Sequence, residues 1–154
     1  MSEAAPSHFR GESRLRVRYA ETDRMGVVYH ANFFVWLEIG RVEFMRALGF
    51  DYKQMEVEDD CHLPVVDARC RYRSPARYDD EVVVRTELRR IRGPLIHFAY
   101  EIRRAADDTL LADAETTHIV VNAAMEKRSL PDRYREPLER AARVAEPDAP
   151  ASLN

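Results

Sequence analysis

Cysteine and long hydrophobic runs are both scarce in this chain. Of its 154 residues only two are cysteines, Cys61 and Cys70, and they form neither a Cys-x-x-Cys pair nor part of a dense framework. Both are therefore expected to be reduced thiols. No stretch approaches the ~20 apolar residues of a membrane-spanning helix, and the first seven residues lack a basic region followed by an apolar one. The sequence thus predicts a cytoplasmic protein with no membrane span.

Motifs for several kinds of chemistry are also missing. The chain has no Gly-x-Ser-x-Gly nucleophile elbow, which disfavours a serine hydrolase, and no glycine-rich loop for phosphates. The segment 59–62 combines two aspartates, a cysteine and a histidine, but four adjacent groups on one loop lack the spacing of a zinc site. Neither a metal nor a cofactor is predicted.

The chain as a whole is slightly acidic, but one segment of it is basic. The formal net charge of −3 argues against nucleic acid as the main partner, because such binding usually needs a strongly basic face. Residues 85–104 nevertheless hold six arginines and two glutamates, while residues 51–60 are acidic. The basic segment fits a small ligand with several phosphates, and a solvated arginine face is the alternative.

The remaining composition indicates one small domain. The apolar content is 45%, and a chain of this size buries roughly 70% of its unfolded surface. Residues 1–12 are predicted to be a flexible arm, residues 13–144 a single domain, and residues 145–154 a flexible polar tail. No internal repeat or linker interrupts the central part.

Hydrophobic periodicity predicts an α+β fold. Residues 32–48 are apolar around most of the helix circumference, so a long helix buried nearly all round is expected. A strand ends near Tyr19, and further strands are predicted at 63–73, 81–90, 95–104 and 116–121, followed by a short C-terminal helix. An antiparallel five-stranded sheet wrapped around one helix leaves an edge and an outer face, which favours pairing with a second copy.

The most informative segment lies between the first strand and the long helix. Asp23 stands three residues before Gly26, whose freedom at positive φ suits a tight reversal. A helix start offers unpaired backbone N–H groups and a partial positive charge. A carboxylate and a polarising N–H can therefore converge there on one substrate carbonyl, which is hydrolase chemistry.

A family resemblance rests on this segment. Four segments of the chain resemble hotdog-fold acyl-CoA thioesterases. They are Asp23-Arg24-Met25-Gly26-Val27-Val28-Tyr29-His30-Ala31-Asn32-Phe33, Trp36-Leu37-Glu38, Arg41-Val42-Glu43-Phe44 and Tyr72-Arg73-Ser74-Pro75-Ala76-Arg77-Tyr78-Asp79-Asp80. The similarity is to the hydroxybenzoyl-CoA thioesterase and YbgC type and covers about residues 13–130. It implies hydrolysis of an acyl-CoA to a free acid and CoA. It also implies a homodimer or a dimer-of-dimers tetramer, with active sites between one subunit's loop and helix and its partner's strands.

The same resemblance implies roles for individual residues. Asp23 matches the catalytic aspartate, acting as base or nucleophile. His30 matches the position whose backbone N–H polarises the carbonyl, and in YbgC-type members a histidine side chain there and a tyrosine matching Tyr19 are thought to assist. Ser74 and Pro75 would line the pantetheine passage, a Pro-induced strand bend being the alternative. Tyr29 is a further substrate-binding candidate.

The predicted phosphate contacts depart from the family pattern. Arg92 matches the start of a basic run that binds CoA phosphates, but Gly93 and Pro94 follow where basic residues would stand. Arg89 and Arg90 could compensate, although strand alternation predicts that they point to opposite faces.

Structural roles are alternatives to the catalytic roles of Asp23 and His30. Asp23 could be an ordinary turn or capping carboxylate, and His30 a structural hydrogen-bonding residue. Glu38 is a second candidate base, since another branch of hotdog thioesterases uses a helix carboxylate, but an ion pair with Arg41 or a bond across the dimer is preferred. Asn32 is expected to cap the helix. A hotdog dehydratase and a non-catalytic acyl-CoA-binding module remain the alternative functions.

Overall fold

The computed structural model describes residues 11–145 and, of these, the side chains of residues 11–142. The elements in chain order are β1 (Gly11–Arg16), a 3-10 helix (Tyr19–Glu21), α1 (Asn32–Ala47), α2 (Tyr52–Glu58), β2 (Val65–Tyr72), β3 (Glu81–Arg92), β4 (Leu95–Arg104), β5 (Leu110–Ile119) and α3 (Asp132–Ala145). Strand β1 thus begins inside the predicted arm. Residues 1–10 and 146–154, the rest of the predicted terminal segments, lie outside the described residues.

The five strands form one antiparallel sheet in the order β1-β3-β4-β5-β2. Helix α1 packs across its inner face, where Phe44 contacts Phe98 edge to face at 5.9 Å. The helix approaches the sheet closely at Gly40, because a Cβ atom there would lie 2.6 Å from both Thr86 Oγ1 and Val84 Cγ1. The predicted α+β fold, a five-stranded antiparallel sheet around one long helix, is confirmed.

Alternation in the central strands creates the core. On β3 and β4 every second side chain is fully or almost fully buried against α1: Val82, Val84, Thr86, Leu88, Ile96, Phe98, Tyr100 and Ile102. Helix α3 packs beside β3 and adds Leu138 and Ala141 to this core. The outer face of the sheet carries mostly charged side chains.

The prediction that α1 is buried nearly all round is wrong for this chain. Phe34, Val35 and Ile39 are 38%, 47% and 39% exposed. They belong to the helix face that the single sheet cannot reach. The edge strand β2 beside them is also exposed along most of its length, including Val65 at 49%. An apolar helix face and an open sheet edge therefore occupy the same side of the molecule.

Three other local predictions need correction. The acidic segment 51–60 contains α2, whose start is capped by Asp51 accepting from the Lys53 N–H at 2.8 Å, and Met55 on this helix is fully buried. Strand β5 begins earlier than predicted, because its buried residues before Thr116 include the small Ala112 and Ala114, which give a weak hydrophobic signal. Tyr19 lies in the 3-10 helix and not in a strand.

A β-bulge overturns the expectation that Arg89 and Arg90 point to opposite faces. The register of β3 against β4 shifts between Leu88 and Arg90. Leu88 is fully buried, and Ile91 also packs against the core, so both side chains point inward. The two arginines between them therefore lie together on the outer face.

Candidate active site

The Asp23 loop is a tight turn closed by backbone hydrogen bonds. The Asp23 N–H donates to the Val27 carbonyl at 2.8 Å, and the Gly26 N–H donates to the Asp23 carbonyl at 3.0 Å, with Gly26 at φ +80°. Asp23 Oδ1 accepts from the Met25 N–H at 2.8 Å. Within residues 11–145, Oδ2 has no hydrogen-bond partner. The carboxylate thus fulfils the turn role with one oxygen and keeps the other available.

The start of α1 presents unpaired donors. The Asn32 and Phe33 N–H groups donate to the Tyr29 and His30 carbonyls at 3.0 and 3.2 Å, whereas the His30 and Ala31 N–H groups have no acceptor in the described part of the chain. Such groups carry the positive end of the helix dipole and can bind an anionic oxygen.

The His30 imidazole is held by ring contacts. Its centroid lies 4.6 Å from that of Tyr29 and 6.1 Å from that of Tyr72. The Tyr72 hydroxyl donates to the His30 carbonyl at 2.9 Å, which ties the helix start to the end of β2. Neither ring nitrogen is hydrogen-bonded among residues 11–145, so the structural hydrogen-bond alternative for this side chain does not apply there.

Glu21 fixes the loop against the helix. Its carboxylate is almost completely buried and accepts from Trp36 Nε1 at 2.8 Å and from the Arg18 N–H at 2.9 Å. Its carbonyl accepts from Asn32 Nδ2 at 2.8 Å and from the Tyr29 N–H at 2.9 Å. Asn32 therefore anchors Glu21 and does not cap the helix as predicted.

These contacts decide the charge state of Glu21. Burial alone would raise its pKa, but the hydrogen bonds from the Arg18 N–H and from Trp36, together with the Arg18 charge, outweigh burial and lower the pKa. Sequence reasoning missed Glu21. The available signal was the single tryptophan, Trp36, since a buried indole N–H needs an acceptor.

The loop, the helix start and the end of β2 enclose a cleft of about 360 Å³, called the Asp23 cleft below. Its lining consists of Asp23, Met25, Val27, Val28, His30, Phe33, Tyr72, Arg73, Ser74, Pro75 and Ala76. The structure thus brings together four of the predicted site residues: Asp23, His30, Ser74 and Pro75. The lining is mainly apolar, as expected of a small-molecule site.

Five predicted site residues lie outside the Asp23 cleft of the same protomer. Tyr19 is 79% exposed and packs edge to face on Tyr78 at 6.0 Å. Tyr29 contacts the His30 ring but does not line the cleft. The other three are Arg89, Arg90 and Arg92, all on β3.

The three arginines of β3 differ in their electrostatic surroundings. Arg89 pairs with Glu87 at 3.3 Å. In the described part of the chain, Arg90 and Arg92 form no ion pair. Both lie near His97, whose pKa is lowered first by burial and then by these two positive charges. Arg90 and Arg92 are therefore available cations.

Glu38 lines a separate cleft of about 260 Å³ between α1 and β2, called the Arg41 cleft below. The ion pair between Glu38 and Arg41, one of the two predicted alternatives, is absent. Among residues 11–145, no carboxylate lies within 4.0 Å of the Arg41 guanidinium. Arg41 donates instead to the Tyr100 hydroxyl at 3.3 Å. No lining residue is shared with the Asp23 cleft.

Two further features concern membranes and metals. The helices between residues 11 and 145 are all too short or too polar to cross a bilayer. In that same region, no three acidic, cysteine or histidine side chains converge on a possible metal position.

Comparison with known proteins assigns the chain to a family. The family model of the thioesterase-like superfamily matches residues 17–145, which include every lining residue of the Asp23 cleft. The chain belongs to this superfamily, and the resemblance inferred from the sequence is confirmed.

Particular relatives are consistent with that assignment. The chain is 35% identical over 118 residues to the acyl-CoA thioester hydrolase YbgC of Escherichia coli, covering 76% of this chain and 87% of YbgC. A DHNA-CoA thioesterase from Staphylococcus aureus is 30% identical, with a TM-score of 0.77 over 86% of this chain and 87% of that one. The hypothetical protein TT1821 from Thermus thermophilus is 34% identical, with a TM-score of 0.78 over 83% and 96% of the two chains.

The Glu21 contacts lead to a prediction about stability. Glu21→Gln should lower the free energy of unfolding at neutral pH by about 1–3 kcal/mol, because the amide cannot accept from both the indole and the backbone N–H. The folded-state pKa of Glu21 is lowered, so its contribution is present above the unfolded-state pKa and is lost as pH falls through the folded-state pKa. The difference between wild type and variant in urea unfolding should therefore shrink on acidification.

Glu56→Gln is the matched control. Glu56 is exposed on α2 and has no hydrogen bond or ion pair within residues 11–145. This substitution should leave the unfolding curve nearly unchanged at either pH. A Glu21→Gln protein as stable as wild type at neutral pH would contradict the proposed anchoring role.

Proposed function

We propose that this chain hydrolyses acyl-CoA thioesters to a free acid and CoA, with Asp23 and the His30 backbone N–H acting on the thioester carbonyl. One observation carries the proposal: an unpaired carboxylate oxygen and an unpaired helix-start N–H belong to residues that line the same apolar cleft. Membership of the thioesterase-like superfamily, together with the YbgC similarity, supports the same reaction.

The chemistry requires a nucleophile and a site for negative charge. In one route Asp23 takes a proton from water, the water oxygen attacks the carbonyl carbon, the C–S bond breaks, and the thiolate regains a proton. In the other, Asp23 itself attacks the carbonyl carbon, the C–S bond breaks, and CoA leaves as a thiolate that takes a proton. Water then hydrolyses the mixed anhydride, which releases the acid and restores the Asp23 carboxylate. Both routes place charge on the carbonyl oxygen, which the His30 N–H and the helix dipole would stabilise.

Asp23→Asn should lower kcat by about 10²–10⁴-fold, because the amide can neither accept the proton nor attack efficiently. The amide oxygen can still accept from the Met25 N–H, so the turn should fold. Thiol release would be followed over short, branched, aromatic and long acyl-CoAs, with folding checked by circular dichroism. Glu38→Gln is the comparison variant. If Asp23→Asn kept more than half of wild-type activity and Glu38→Gln lost activity, Glu38 and not Asp23 would be the catalytic base.

Two substitutions separate the backbone and side-chain roles of His30. His30→Ala keeps the N–H and should reduce the rate modestly, whereas His30→Pro removes the donor and should cost about 10²–10³-fold. An inactive but folded His30→Ala enzyme would instead assign the reaction to the imidazole.

We also infer a homodimer formed through β2. The open edge of β2 and the exposed apolar face of α1 lie on one side of the molecule, and both gain from a second copy. A two-fold axis would pair the β2 strands antiparallel, so that the Val65 end of one lies beside the Tyr72 end of the other. The predicted dimer and the predicted dimer of dimers both contain this contact.

Val35→Glu should dissociate the dimer and abolish most turnover, because it buries a carboxylate against the apolar partner surface. Val57→Glu is the matched control, since Val57 is 77% exposed on α2, away from this surface. Sedimentation and thiol release would be measured at the same protein concentration. A monomeric wild type with full activity would refute the inference.

The dimer offers a role for the available cations of β3. The register runs from Ile91 through Ile96 and His118 to Val65, so Arg90 and Arg92 lie at the Val65 end of the sheet. Antiparallel pairing of β2 would bring that end toward the partner's Asp23 cleft. We propose that these two arginines bind phosphates of CoA on the partner's substrate.

Arg90→Gln combined with Arg92→Gln should raise KM for an acyl-CoA about fivefold to tenfold, since two exposed ionic contacts together contribute about 1–1.4 kcal/mol. It should not change kcat, nor KM for the matching acyl-pantetheine, which lacks the nucleotide. Arg89→Gln is the control, because Arg89 already pairs with Glu87. An equal rise in KM for the control would argue against a specific phosphate contact.

A further inference from the structure

The Arg41 cleft combines apolar walls with polar groups. Phe34 and Val35 of α1 and Val65 of β2 form part of the walls, while Glu38, Arg41 and Thr116 contribute the polar atoms. Its volume of about 260 Å³ has room for a small organic group. The dimer proposed above uses Val35 and Val65 of these walls, whereas no role proposed above uses Arg41.

Arg41 is the unusual member of the lining. Its guanidinium is partly buried and makes one hydrogen bond, to the Tyr100 hydroxyl at 3.3 Å. Within the described residues it has no carboxylate partner, although Glu38 lies only one helical turn away. A partly buried cation without a counter-charge is costly. The buried Tyr52 hydroxyl also lies beside Arg41 and can accept from one of its N–H groups. A guanidinium has five N–H donors, so two tyrosine oxygens leave some of them in need of an acceptor.

A buried hydrogen-bond chain fixes Arg41 as a donor. The pKa of His118 is lowered to about 4, first by burial and then by the Arg41 charge, so the imidazole is neutral at pH 7. His118 Nδ1 donates to the Leu63 carbonyl at 2.9 Å, which leaves Nε2 to accept from the Thr116 hydroxyl at 2.9 Å. Thr116 then accepts from the Tyr100 hydroxyl at 2.7 Å, and the Tyr100 oxygen is left to accept from Arg41.

The position of the cleft connects it with the proposed reaction. Val65 and Ala68 line it at the start of β2, whereas Tyr72 and Ser74 at the other end of the strand line the Asp23 cleft. When two β2 strands pair antiparallel, the Arg41 cleft of one protomer adjoins the Asp23 cleft of its partner. An acyl group bound through its thioester in the second could extend into the first.

We propose that the Arg41 cleft holds the acyl group of the partner's substrate and that Arg41 selects acyl groups with an acceptor oxygen remote from the thioester. This inference rests on the proposed function and adds a substrate class to it. An unsubstituted alkyl group would fill the space between the apolar walls but leave part of the guanidinium without an acceptor. A hydroxyl, oxo or carboxylate oxygen would satisfy it.

The test compares three CoA esters of equal chain length: hexanoyl-CoA, 6-hydroxyhexanoyl-CoA and adipoyl-CoA. Wild type should have a kcat/KM about 10- to 100-fold higher for at least one oxygenated ester than for hexanoyl-CoA. The hydroxyl and carboxylate esters distinguish a neutral from an anionic acceptor. Glu38 in the same cleft favours the hydroxyl, because it repels a second carboxylate.

Arg41→Met removes the donors and keeps an apolar stem, so the ratio of kcat/KM for oxygenated to plain ester should fall about tenfold or more. Arg41→Lys keeps the charge, should retain part of the ratio, and provides the test if Arg41→Met does not fold. Arg46→Met is the matched control, since Arg46 is exposed on the same helix and pairs with Glu43. It should leave the ratio unchanged.

Several results would overturn the proposal. Wild type could show no preference among the three esters, or Arg41→Met could lower kcat/KM for all of them equally. Dissociation of the Arg41→Met dimer in sedimentation, with the ratio retained, would show that Arg41 pairs with an acid of the partner. If wild type turned over none of the esters, the proposed function would fail. The preference would then be measured as the ratio of the dissociation constants of the oxygenated and plain esters. If Arg41→Met left that ratio unchanged, this inference would be refuted separately.

Discussion

The hydrogen bond from Trp36 to the buried carboxylate of Glu21 is the contact on which the candidate site depends. The Asp23 loop and the start of α1 belong to different elements, and the Tyr72 hydroxyl ties the second of these to the end of β2. Glu21 joins them, since its side chain binds the helix and its carbonyl accepts from Asn32. A charged acceptor in an apolar environment makes this arrangement specific, because any other placement would leave the carboxylate or the indole unsatisfied.

A second constraint follows from having one sheet and one long helix. The sheet covers a single face of α1, so the opposite face, including Val35, stays apolar and uncovered beside the open edge of β2. A second copy of the chain would cover the apolar face and pair with the open strand edge. It would also bring the two unlike clefts of the subunit together, with Asp23 and the helix-start donors from one protomer and the Arg41 cleft from the other. Reaction and acyl selection would then depend on the same interface that stabilises the fold.

Much of the fold could be predicted from local pattern. The alternation of Val82, Val84 and Leu88 locates a half-buried strand, and the run around Trp36 locates a helix, because both signals depend only on neighbours in the sequence. The bulge beside Arg89 could not be predicted, since it depends on how β3 pairs with β4. Helix α2 was missed because its seven residues are mostly polar and bury little besides Met55.

The sequence alone determined the superfamily, the order of the strands and the long helix, and the convergence of Asp23 with a helix start, because these reside in contiguous motifs and in periodicity. Only the tertiary structure decided that Glu21 joins loop to helix, that Arg41 lacks its expected partner Glu38, and that Arg90 is available while Arg89 is paired. In each case, side chains that are distant in sequence or one helical turn apart compete for the same hydrogen-bond or ion-pair partner. Distances of a few ångströms decide such contacts, and residue types do not specify them.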